Sequence, residues 1–214
     1  MPVAEPSRCR LCLVTPPGAD IATFPELLGD ALSGGDVASL IVTAPAGAAL
    51  QDFAAALVPL AQPRGVAVLI HNETQIAGRV RADGVHVDTS PADLAAAVAA
   101  FRGKRIVGAG NLRSRHDAMT AGEAQPDYVF FGRLDGDHED GIHARALELA
   151  AWWSELFVIP AVVMGGSTVA SVVEAADAGV DFVALSRAVF GHRDPAAAVA
   201  EANALLARAP EPAA

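Results

Sequence analysis

Met164-Gly165-Gly166-Ser167-Thr168 and Phe182-Val183-Ala184-Leu185-Ser186-Arg187-Ala188-Val189-Phe190 decide how this chain of 214 residues folds. Each opens or follows a short apolar run without polar alternation, as in a parallel strand buried on both faces. Each then passes abruptly into a helical period. Glycines at 165 and 166 let backbone N–H groups approach an anion closely, and the start of a helix adds partial positive charge. Two such turns on adjacent strands point to a phosphate-binding corner built from Gly165, Gly166, Leu185, Ser186 and Arg187.

The same alternation runs through the rest of the chain. Strands are expected at Arg8–Thr15, Val37–Thr43, Val66–Ile70, Gly84–Val87, Arg105–Ala109, Tyr128–Phe131, Ala161–Met164 and Phe182–Leu185. Between them, sets such as Phe24, Leu27, Leu28, Ala31 and Leu32, or Leu94, Ala97, Val98 and Phe101, carry the spacing of one buried helix face. Asp194-Pro195 opens the last helix, with Asp as N-cap and Pro in the first turn. Asp83, Asp127 and Asp181 each stand just before an even-numbered strand, a recurrence that fits the stability face of a barrel. Eight βα units, with no Gly-rich loop after the first strand, favour a single (β/α)₈ TIM barrel over a doubly wound open sheet. One domain is expected over residues 1–214, with its core at about 8–208 and flexible ends.

Composition narrows the partners. The formal net charge is −10 and the sequence pI about 4.9, which disfavours nucleic acid and anionic membrane surfaces. Neither a transmembrane-length apolar run nor a secretory signal is present, so the expected location is cytoplasmic. Cys9 and Cys12 form a C-x-x-C, but on a strand positions i and i+3 face opposite ways, so the thiols should diverge as reduced structural residues. Trp152 and Trp153 cannot both face inward, and one marks a candidate homo-oligomer contact.

Gly84-Val85-His86-Val87, Asp127-Tyr128-Val129-Phe130-Phe131-Gly132, Met164-Gly165-Gly166 and Ala178 through Phe190 together resemble the thiamine-phosphate synthases and their thiazole tautomerase relatives. The likeness runs from about Leu11 to Leu206. It implies a barrel that takes a phosphorylated small molecule, a thiazole phosphate or thiamine phosphate, on Gly165-Gly166 and Leu185-Ser186. It further implies joining that heterocycle to a pyrimidine pyrophosphate, with Mg²⁺ on the pyrophosphate.

Several family motifs are changed. The Gln-x-Arg-x-Lys run after strand 2 is replaced by Ser39 through Pro45, without a cation. The Asn-Asp after strand 3 reads His71-Asn72-Glu73, which keeps Asn72 as a catalytic candidate and offers Glu73 as a longer metal ligand. The second metal carboxylate falls to Asp88 or Asp93, neither in register with the family pattern. After strand 5, Gly108-Ala109-Gly110-Asn111-Leu112 lacks the family's Ser and His.

Strand 6 differs most. The family's Thr-x-Thr-Lys becomes Leu134-Asp135-Gly136-Asp137-His138-Glu139-Asp140, an acidic run that repels a pyrophosphate unless a metal intervenes. It reads as a solvated, mobile loop rather than a metal site. His138 within it is an acid–base candidate. Arg133 at the strand end could meet a ligand phosphate or neutralise the loop. His86 reads as a satisfied core histidine. The expected function is therefore a thiamine-phosphate-synthase-like barrel. A thiazole-tautomerase-like isomerase and a non-catalytic phosphate-ligand binding or regulatory protein are the alternatives.

Overall fold

A computed structural model describes residues 9–43 and 47–208. Eight parallel strands close into a barrel in chain order: β1 (Arg10–Val14), β2 (Ser39–Val42), β3 (Ala67–His71), β4 (Gly84–Val87), β5 (Ile106–Ala109), β6 (Tyr128–Phe131), β7 (Ala161–Met164) and β8 (Phe182–Leu185). Closure is direct, with Arg10 to Leu13 of β1 beside Phe182 to Leu185 of β8. The helices are α1 (Phe24–Ala31), α2 (Ala48–Ala61), α3 (Thr74–Val80), α4 (Pro91–Phe101), α5 (Arg115–Glu123), α6 (Ala144–Leu156), α7 (Val172–Asp177), α8 (Arg187–Phe190) and α9 (Pro195–Leu206). The expected flexible ends and the segment at 44–46 lie outside the described residues.

Strands β4, β6, β7 and β8 coincide with the expected strands, whereas β1, β2, β3 and β5 begin one or two residues late. Val37 and Val66 are buried but only approach the ladder. His71 extends β3 because it pairs with His86 across β4.

The chain has two apolar layers. One lies between sheet and helices and includes Leu11, Leu28, Val85, Phe131 and Trp153. The other fills the barrel interior with Cys12, Val14, Ile41, Leu69, Tyr128, Phe130, Val162 and Met164. The two cysteines fall on opposite sides of β1, Cys9 in the outer layer and Cys12 in the inner. Both are free and buried, and burial pushes their thiols up to about 12 and about 11. A thiol so desolvated is a poor nucleophile.

The repeated Asp residues staple the closed end of the barrel. Asp83, Asp127 and Asp181 accept from the Val68, Val107 and Ala161 amides at 2.7, 2.7 and 2.8 Å. Each ties an even strand to the preceding odd one at its start, far from the opposite, open mouth.

Candidate active site

The open mouth is a cavity of about 750 Å³ bordered by Thr43, His71, Asp88, Asn111, Arg113 and Arg133. Its floor is set by a buried polar pair. His86 Nδ1 lies 2.8 Å from the Tyr128 hydroxyl, and Phe130 meets the imidazole edge-on. Burial, aided by repulsion from His71, lowers the His86 pKa to about 3, so the ring is neutral near pH 7. The space is made by glycines: a Cβ on Gly108 would run into the Tyr128 ring, and one on Gly110 would press on His86. His86 is thus the core histidine expected from its place in the strand.

Above this floor, β3 and β4 deliver a compact cluster. His71 Nε2 lies 2.9 Å from Asp88 Oδ1, and Asn72 Nδ2 donates to the same oxygen at 2.7 Å. The Asp88 amide donates back to Asn72 Oδ1 at 3.0 Å, and the Asn72 amide reaches the His86 carbonyl at 2.8 Å. These bonds hold Asn72 at φ 58°, a left-handed conformation that Asn tolerates better than most residues. Burial raises the Asp88 carboxyl, but the bonds from His71 and Asn72 outweigh it and bring the pKa to about 2. A histidine oriented by a carboxylate at a barrel mouth is a serviceable proton carrier.

The three carboxylates assigned to a metal do not converge. Asp88 has Oδ1 committed to two donors. Asp93 is exposed on the first turn of α4, where its amide and carboxylate bond the Ser90 hydroxyl in a capping arrangement. Glu73 stands at the N-cap of α3 without a capping bond. Among the described residues no group of three His, Cys, Asp or Glu side chains is placed to hold an ion. A hard cation requires several converging oxygens, so the donors present do not fit a protein-built Mg²⁺ cage.

Towards β5 and β6 the mouth opens into a second cavity of about 520 Å³, bordered by Arg113, Arg133, His138, Glu139, His143 and Arg145. Arg133 is spread on Asp135 by two 3.0 Å bonds, the second of its two expected roles. Arg145 is likewise engaged by Glu148 at 3.0 Å. Arg113 donates from Nε to Asn111 Oδ1 at 3.0 Å, a neutral partner that leaves its charge uncancelled there. His138 is exposed beside this cavity. Arg113 stands out only in the fold, because it lies one residue beyond the strand-5 motif Gly108 to Leu112. His71 likewise gains its significance only from Asp88, a partner 17 residues away.

At the strand 7/8 corner four backbone donors meet acceptors from the protein. Gly165 N reaches the Ala184 carbonyl at 2.8 Å, and Gly166 N reaches Ser171 Oγ at 3.0 Å. Ser167 N reaches the Glu139 carbonyl at 2.7 Å. The Arg187 amide reaches Asp137 Oδ2 at 2.6 Å. Leu185 and Ser186 are buried beneath this turn. The expectation of a wholly solvated acidic loop therefore fails at Asp137, which is 1% exposed. Its carboxylate has a guanidinium and an amide to meet, and this outweighs hydration.

A closed eight-stranded barrel with these motifs in this order has clear relatives. A model of the thiamine monophosphate synthase family matches residues 11–189. The chain belongs to the thiamine-phosphate synthase family. It is 39% identical to the thiamine-phosphate synthase of Hyphomonas neptunium, covering 93% of this chain and 94% of that one. It is 38% identical to the Rhodospirillum centenum enzyme of the same name, covering 92% and 98%. Thiamine phosphate pyrophosphorylase from Pyrococcus furiosus superposes with a TM-score of 0.77 at 23% identity, covering 95% and 98%, and supports the barrel fold. Among the described residues no helix is long and apolar enough to cross a membrane.

Proposed function

We propose that this family member binds a phosphorylated heterocycle, thiazole phosphate or thiamine phosphate, with its phosphate at the strand 7/8 corner. We further propose that it joins the thiazole to a pyrimidine pyrophosphate. In that reaction the thiazole ring nitrogen forms a C–N bond to the pyrimidine methylene carbon. The C–O bond to pyrophosphate breaks, and pyrophosphate leaves with the electron pair. The observation that carries the reading is the second cavity, where Arg113 offers a cation not cancelled by a carboxylate to a departing anion, beside Arg133 and Arg145, which are held by Asp135 and Glu148. These arginines are a different solution from the family's strand-2 and strand-6 cations. In this reading Asn72 positions His71 and Asp88 at the mouth, and His138 meets the substrate from the β6 loop. Mg²⁺, implied by the family likeness, would arrive on the pyrophosphate rather than in a protein cage.

The test is incubation with both substrates and Mg²⁺, followed by mass spectrometry for the coupled product and an assay of released pyrophosphate. Product is expected, with a large loss in Arg113→Ala. Folded protein that forms none would sink the synthase reading.

One observation favours an isomerase instead: His71 is held by Asp88 in a proton-carrying arrangement. Deuterium exchange into a thiazole phosphate, followed by NMR without pyrophosphate or metal, separates the two. Exchange abolished in His71→Gln would support the isomerase, and absence of exchange would remove it.

A further inference from the structure

We propose that Asp137 is an internal competitor for the phosphate site, so that the β6–α6 loop must leave the strand 7/8 corner before a phosphate enters. This rests on the reading of that corner as the phosphate site.

Asp137 differs from its acidic neighbours. Asp135 pairs outward with Arg133, and Glu139 and Asp140 are exposed, whereas the Asp137 side chain has no accessible surface. Its carboxylate is directed at the turn after β8. Oδ2 accepts from the Arg187 amide at 2.6 Å, and Oδ1 lies 3.4 Å from Arg187 Nε. An amide and a guanidinium converging on one small anion is how a protein grips a phosphate oxygen.

The fit is incomplete. Asp137 Oδ1 and the hydroxyl of Ser186, both buried at this corner, have no hydrogen-bond partner. A native site normally satisfies such atoms, and a carboxylate has fewer oxygens than a phosphate with which to do so.

The rest of the loop is fastened over the preceding turn. The Glu139 carbonyl accepts from Ser167 N at 2.7 Å, and the Asp140 carbonyl accepts from Thr168 Oγ1 at 2.9 Å. Gly166 admits it, since a Cβ there would collide with the Asp140 backbone. Carboxylate and phosphate are both anions seeking the same donors. In a site that excludes water they cannot share it. Phosphate binding and loop closure are therefore mutually exclusive, and the affinity for phosphate is set by how firmly Asp137 holds.

The decisive experiment titrates inorganic phosphate into the full-length wild type and Asp137→Ala by calorimetry, with chloride at matched ionic strength as control. Asp137→Ala should bind phosphate about tenfold or more tighter than wild type. Equal affinity in the two overturns the competition while leaving the phosphate site standing. Binding by neither removes the phosphate reading of the corner, and the competition with it. Should Asp137→Ala fail to fold, hydrogen exchange on the wild type decides. Saturating phosphate should speed exchange across residues 135–141, and unchanged or slower exchange there overturns the proposal.

Discussion

Lowering the pH should destabilise this protein through His86 before most of its carboxylates are protonated. In the folded chain His86 is fully enclosed, bonded to the Tyr128 hydroxyl, and its pKa stands at about 3 against the usual 6.5. The unfolded chain therefore takes up a proton as the pH drops through 6.5, while the folded chain does not. Stability is fully present above the unfolded value, declines below it, and levels off once the folded ring also protonates near pH 3. The slope for one proton is about 1.4 kcal/mol per pH unit. Between pH 6.5 and 4.5 this histidine should then remove about 2 kcal/mol. His86→Asn places an amide near the position of Nδ1, so it can keep the Tyr128 bond without a titrating group. The variant should be less stable at pH 7 by about 1–3 kcal/mol, because the lost ring atoms leave space beside Phe130 and Gly110. Urea unfolding from pH 7 to pH 4 measures both quantities. Wild type and variant should converge as the pH falls. Parallel curves would show that His86 is hydrated or protonated in the folded protein, and the account of the barrel floor would be wrong.

Other perturbations probe the same architecture. Gly108→Ala would drive a methyl group into the Tyr128 ring and should lose about 1–3 kcal/mol, read as a fall in Tm of several degrees. Asp88→Ala frees His71 and Asn72 and should lower stability at pH 7 by about 1–3 kcal/mol. Because the Asp88 carboxyl is held at about 2, the wild type should keep this advantage above pH 4 and lose it as the pH falls towards 2, measurable by thermal melts. Cys9 and Cys12 should resist a thiol-specific reagent in the native protein and react together on unfolding; rapid native labelling would contradict their burial.

The barrel was legible because its signal is local and repeated. Continuous apolar runs mark β6, β7 and β8 end to end, and Asp194-Pro195 caps α9 as read, with Asp194 accepting from the Ala197 amide at 3.0 Å. Even the three Asp staples showed themselves as a recurrence, although their bonding to the neighbouring strand did not. The site was less legible because its contacts join distant positions. Nothing near Asp137 distinguishes it from Asp135; its burial depends on Arg187, 50 residues further along the chain. His71 stood just past the apolar run Val66–Ile70, and only Asp88, brought beside it after β4, gives it a partner. Arg133 could be placed at the mouth from the strand end, but only the folded loop shows that Asp135 takes up its guanidinium. Asp93, a carboxylate at roughly the right distance in sequence, turned out to be bonded to Ser90 at the start of α4.

The most direct measurement is a crystal structure of the protein soaked with thiazole phosphate. The phosphate should lie on the Arg187 amide and the turn at Gly166 and Ser167, with Asp137 withdrawn and the ring facing His71 and Asn72. A ligand bound elsewhere, with Asp137 still on Arg187, would contradict this.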